Sequence, residues 1–273
     1  MKKTIGILMV LSVLMGCGKE KSNGVVKTPR PEFSQSELNP LNDIGVIHNE
    51  FLDAISGYSY ENLVPNYLVS SHYDPAFGID SADFSSLIDE FIGKFEDTDG
   101  DLEAISISLN LSPSAKDYLI ELSSVLIDED FLNSYWPRIG GQDSIGIHIE
   151  YLLEKQQQLI ELEQTILNDV TFLSDSNRTN VLTVMTIAKH SHDYWTEVFR
   201  NAQHPFHELF IHKFGFGGYN KFSWRNLFAA VAIVACADVV GALFGTEMAS
   251  PHAVGIMAGI CSGLALGGAI FAN

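Results

Sequence analysis

The sequence predicts an all-α protein, a helical bundle body followed by a C-terminal apolar helical hairpin that carries a glycine zipper. Three observations lead there. From Asp43 onward apolar residues recur three and four apart, the period of one buried helix face, and clusters of Gly, Pro, Asn and Asp separate the runs. Leu227 to Gly245 and Val254 to Ala272 are two apolar runs of 19 residues each, with one charge, Asp238, in the first and none in the second. In the second run Gly255, Gly259, Gly263 and Gly267 repeat at strict four-residue intervals, which places them on one helix face. With 46% hydrophobic residues in 273, the chain has the apolar material for a packed core.

Taken in chain order, Met1-Lys2-Lys3 supplies a positive start, and Thr4 to Met15 an apolar run too short to span a bilayer. That run ends in Leu14-Met15-Gly16-Cys17, which resembles the bacterial lipobox. The resemblance implies that residues 1–16 are a lipoprotein signal peptide. It also implies that Cys17 becomes the acylated first residue, bearing a thioether-linked diacylglycerol and a further fatty acyl chain such as palmitate. Each buried methylene contributes about 0.8 kcal/mol, so several chains on one residue anchor lastingly. Residues 17–40 are polar, with Pro29, Pro31 and Pro40 and no regular period, and read as a flexible tether. By the lipoprotein sorting rule, Gly18 in place of an aspartate favours the outer membrane over the inner one.

Residues 41–203 form the expected bundle domain. Helices are predicted over 43–56, 81–95, 114–135, 143–169 and 177–201, with a turn near 102–111. The strongest is 143–169, where Ile145, Ile149, Leu152, Leu153, Leu159, Leu162, Ile166 and Val170 mark one face and Glu150, Glu154, Lys155, Gln157 and Glu161 the others. Asp143 and Ser112-Pro113 are the residue types that open helices. The 34 acidic against 16 basic residues give a net charge of −18, and loss of Lys2 and Lys3 brings the mature chain to about −20. Nucleic acid is excluded as a partner on phosphate repulsion. Beyond Cys17 only Cys236 and Cys261 remain, too few for a disulfide-stapled scaffold.

Candidate chemistry is sparse. His190, His192, His204, His207 and His212 lie close in sequence with Glu208 among them, which suggests a metal site. The segment HPFHELFIH nevertheless lacks the HExxH spacing that places two imidazoles and a general base on one helix face. Asp97, Asp99, Asp101 and Glu103 alternate as calcium-loop carboxylates do, but Gly100 sits too early for an EF-hand turn. No GxSxG, Walker-type or GxGxxG pattern occurs. The pairs Tyr135-Trp136 and Tyr194-Trp195 fall on predicted helices and read as core. No catalytic residue, metal or cofactor is assigned.

The hairpin over 227–272 is the most informative region after the amino terminus. At 1.5 Å per residue, each 19-residue run reaches about 28 Å, near the hydrocarbon thickness. Ala237, Gly241 and Gly245 repeat in the first helix as the glycines do in the second, so each helix has a groove without side chains where a backbone can approach. The segment resembles the glycine-zipper hairpin of 17-kDa surface-antigen-type outer-membrane lipoproteins, which implies envelope association and no reaction. Residues 204–226 precede it, and there Phe206, Phe210, Phe214, Phe216, Tyr219, Phe222 and Trp224 accompany Lys213, Lys221 and Arg225 as an expected membrane-interface collar. Asp238 is the intramembrane polar residue expected to face a bundle interior or a pore. Cys236 and Cys261 are expected to point away from the glycine grooves and to stay unbonded.

The sequence therefore predicts a non-enzymatic envelope lipoprotein whose hairpin inserts or oligomerises in membrane, with the lipid bilayer and a second copy of itself as partners. A bacteriocin-like or toxin-like membrane effector and a metal-dependent enzyme built on His190 to His212 are the alternatives. A soluble fold that buries the hairpin as its own central helices also satisfies an all-round apolar pattern.

Overall fold

The computed structural model describes residues 39–56, 93, 97, 102–127, 144–214, 216–217, 221–222, 224–246 and 251–267. The elements among them are α1 Asn42–Ile55, α2 Leu102–Ser108, α3 Pro113–Leu126, α4 Ser144–Asn168, α5 Arg178–Arg200 and α6 His207–Phe214. After a two-residue antiparallel ladder, β1 Phe216–Gly217 with β2 Lys221–Phe222, come α7 Trp224–Gly245 and α8 Pro251–Gly267. The protein is all-α, as its periodicity predicts.

Most expected boundaries in the body fall within a residue of those observed, but Val170, expected on the buried face of the helix over 143–169, lies past its end at Asn168 and is 75% exposed. Helix α3 starts where Ser112 caps it, its hydroxyl accepting from Ala115 N at 3.2 Å with Pro113 in the first turn. It ends at Leu126, short of the expected Tyr135, because Ile127 is already extended at φ −112° and ψ 90°. The stretch expected as a turn near 102–111 holds a short helix, α2. Asn110 closes it at φ 52°, the left-handed conformation that ends helices, while Leu111 N reaches Ser106 O at 3.1 Å. Apart from Gly93, the helix expected over 81–95 lies outside the described residues, as do the Asp143 cap, Tyr135-Trp136 and, in the 97–103 carboxylate run, Asp99 and Asp101.

Helix α5 is the spine of the body. Val181, Leu182, Val184, Met185, Ile187, Ala188, Trp195 and Val198 are almost fully buried, and they leave no solvent stripe through the middle of the helix. Helices α1, α4 and α7 all pack against it, and α8 packs between α7 and α1. Helix α7 is surrounded, with Leu227, Ala230, Val231, Val234, Val239 and Leu243 at 0–2% exposure and 89% of the Leu227–Gly245 span buried. The apolar run in α8 is shorter where described, Ala253–Gly263. Its Ile256, Met257, Ala258 and Ile260 share one core with Ile105, Leu119, Leu122, Leu159 and Ile166 of the body. An all-round apolar helix needs lipid or other helices on every side, and here other helices supply them.

The aromatic segment before the hairpin begins in that core. Phe206 and Phe210 are 1% and 0% exposed, with ring centroids 5.7 and 5.6 Å from that of Trp195. This corrects the expectation of a lipid-facing collar at its upstream end: rings that meet a buried indole gain more from each other than from headgroups. The side chains of the collar residues Phe214, Phe216, Tyr219, Phe222, Trp224, Lys221 and Arg225 lie outside the described residues, as does Cys17.

Candidate functional site

The two small-residue grooves of the hairpin do not face each other. A Cβ on Gly241 would lie 2.5 Å from Cys261 Sγ and 2.7 Å from Met257 O, and one on Gly245 would lie 2.7 Å from Val254 Cα. The groove of Ala237, Gly241 and Gly245 is thus the α7 side of the α7–α8 contact. The glycines of α8 turn elsewhere. A Cβ on Gly255 would lie 2.9 Å from Ile47 Cγ2 and 3.1 Å from Ile44 O, and one on Gly259 would meet the Phe51 ring, all of them parts of α1. Gly263 is buried, and the surroundings of Gly267 are outside the described residues. The expected orientation of Cys261 is accordingly corrected. It points away from the α8 glycines, but because those face α1, it meets Gly241 of α7 directly. Cys236 and Cys261 are both free thiols.

Asp238 sits where α1, α5, α7 and α8 meet, at 0% exposure. A carboxylate removed from water requires donors, and three side chains from three helices provide them. Ser191 Oγ of α5 donates to Oδ2 at 2.5 Å, and His48 Nε2 of α1 lies 3.0 Å from the same oxygen. Ser262 Oγ of α8 donates to Oδ1, and Trp195 Nε1 of α5 in turn donates to Ser262 Oγ at 3.3 Å. His48 Nδ1 lies 2.8 Å from Asn49 Oδ1. The hub joins three shell contacts to the middle of the apolar span. Both serines bond the carboxylate rather than the imidazole, so the nucleophile-to-base geometry of a serine hydrolase is not formed.

Helix α5 distributes polar contacts to α1, α4 and α7, since successive residues point about 100° apart. Lys189 reaches α4 through Glu163 Oε2 at 2.7 Å, His190 reaches Asn42 of α1 at 3.0 Å, and Ser191 reaches Asp238 of α7. His192 meets Gln156 of α4 at 3.0 Å, and Tyr194 donates to Asp53 of α1 at 2.8 Å. Glu163, at 0% exposure, also accepts from Asn39 Nδ2 at 2.7 Å, which fixes the end of the tether segment to the body. Asn39 Nδ2 lies 2.8 Å from Thr186 Oγ1 as well. Burial, with Lys155 adding repulsion, pushes the His192 imidazole down to about 4.

Four of the five clustered histidines are drawn to different partners. His190 and His192 point to α1 and α4, His204 stands edge-on to the Tyr194 ring at 5.1 Å, and His207 Nδ1 lies 2.7 Å from Val198 O. Among the described residues no three His, Cys, Asp or Glu side chains converge as metal ligands. The recess beside His192, lined by Gln156, Thr196 and Arg200, has about 10 Å³, room for one water and no larger substrate. Thr196 Oγ1 is buried there without a hydrogen-bond partner.

Sequence reasoning singled out Asp238 but none of its partners. A signal was present: α1, α5 and α8 each place a small or polar residue, His48, Ser191 and Ser262, inside an apolar face. Gly45 was also missed, where a Cβ would collide with the His190 ring and push α1 from α5. No family model matches this chain, and no curated protein or solved structure matches it either.

Proposed function

We propose that the protein is a non-enzymatic, lipid-anchored cell-envelope protein that stores its apolar hairpin inside a helical body and acts through that hairpin on a membrane. Burial supports the reading. Of the Leu227–Gly245 span 89% lies inside the bundle, and its one carboxylate is bonded by three other helices. A body that satisfies its hairpin internally does not depend on it for attachment, which leaves attachment to Cys17. Between Cys17 and the buried Asn39 lie some twenty residues, able to extend to about 70 Å. By the lipoprotein sorting rule, Gly18 favours the outer membrane as the surface to which the lipid holds the body.

Fractionation of cells tests this directly. Wild type labels with a fatty acid and sediments with membranes, whereas Cys17→Ala is expected unlabelled and in the soluble envelope fraction. A Cys17→Ala protein that still sediments and resists alkaline extraction contradicts the reading. A second reading, a membrane-active effector, draws on α7, the one described helix long and apolar enough to cross a bilayer. It expects unlipidated wild-type protein to release dye from vesicles unaided.

A further inference from the structure

Helix α1 stands between the hairpin and solvent in two independent ways. Its backbone lies against Gly255 and Gly259, with Ile44 O and His48 N at 3.1 and 3.2 Å from a Cβ built on Gly255, and Phe51 fills the space over Gly259. Its His48 also supplies one of the three donors to Asp238, the single charge of the apolar span. Of the other two donors, Ser262 belongs to the hairpin and would move with it, which leaves Ser191 on α5. Helix α1 is tied to α5 by Asn42 to His190, Asp53 to Tyr194 and the close approach of Gly45 to the His190 ring, and it buries Ile44, Phe51, Leu52 and Ile55. It has 14 residues, against 25 in α4 and 23 in α5, and it follows the tether directly. Its far side presents Asp43 and Glu50 to water. A short amphipathic helix thus converts the apolar flank of α8 into a wet surface.

We propose that α1 is a clasp: it covers the α8 face and Asp238 in the closed body, and its release is the step that lets α7 and α8 enter a lipid bilayer. The inference rests on the lipid-anchored reading, which places the body near a membrane at high effective concentration. In the closed form the hairpin's affinity for lipid is reduced by the fraction of molecules with α1 released. Residue changes that weaken α1 without touching the hairpin raise that fraction, and a covalent link between α1 and α8 abolishes it.

The test uses the full mature chain with Cys17→Ala, and with Cys236→Ala and Cys261→Ala where thiols are introduced. Binding is read by flotation, and insertion by dye release, on phosphatidylethanolamine/phosphatidylglycerol vesicles. His48→Ala combined with Phe51→Ala is expected to raise both by about tenfold or more over wild type. Leu122→Ala, in the core away from α1, serves as a control compared at matched unfolding free energy. Ile47→Cys with Gly255→Cys, oxidised, is expected to abolish vesicle binding, and reduction to restore it. Equal dye release from the oxidised and reduced forms overturns the clasp. So does equal release by Leu122→Ala and the α1 variant, or no release by any variant. None of these outcomes changes the membrane release of Cys17→Ala in cells, so failure of the clasp and failure of the lipid anchor are separable.

Discussion

At the scale of single residues, buried polar groups decide whether the body stays closed. Asp238 is the sharpest case, because removal of its carboxylate leaves Ser191, His48 and Ser262 pointing at nothing. Asp238→Leu is expected to destabilise by about 3–5 kcal/mol, the usual cost of breaking a buried charged network from one side. Urea unfolding measures it, and a loss under 1 kcal/mol would show that the hub is not satisfied as described. Glu163 and Lys189 form a second such pair at 2.7 Å. Glu163→Gln should cost about 3–5 kcal/mol by stranding the ammonium, and adding Lys189→Met should recover a large share of it. His192 sets a pH dependence whose sign is fixed. Its imidazole, held near 4 in the fold, takes up protons more readily when unfolded, so stability falls as pH drops from 6.5 towards 4. The expected loss between pH 7 and pH 5 is about 2 kcal/mol, from 1.36 kcal/mol per unit. His192→Gln should flatten that slope. His204, lowered by burial as well, acts in the same direction.

At the scale of elements, periodicity was legible and partnership was not. The stripe of Ile44, His48, Phe51, Leu52 and Ile55 marks α1 as a helix with one buried face, but nothing local says that this face meets the glycines of α8. The same ambiguity affects the zipper. Four-residue spacing reveals a groove and leaves its occupant open, because any helix with small or flat side chains can fill it. Two groove substitutions separate the contacts. Gly245→Leu should split α7 from α8, since a Cβ there already lies 2.7 Å from Val254 Cα, and lower stability by about 3 kcal/mol or more. Gly259→Leu should displace Phe51 and loosen α1 while leaving α7 on α8. Hydrogen exchange would then rise in 42–55 but not in 227–245.

At the scale of the whole molecule, one-dimensional reasoning separated a body from a hairpin that in space share a core. Hydropathy reports how much apolar surface a helix must cover and is indifferent to whether lipid or protein covers it. The aromatic stretch misled for a related reason: Phe206 and Phe210 have the composition of an interfacial belt, and only the position of Trp195 makes them core. What the sequence could not give is the convergence of four helices on Asp238, because His48, Ser191 and Ser262 are spread over more than two hundred residues of chain. The central claim, that the hairpin is packed as part of the core of the helical body, is tested most directly by amide hydrogen exchange on lipid-free protein without detergent. Peptides covering Leu227–Gly245 and Ala253–Gly263 should be among the slowest in the molecule, alongside α5, and exchange only through global unfolding. Exchange of those peptides within seconds, while α5 remains protected, would contradict it.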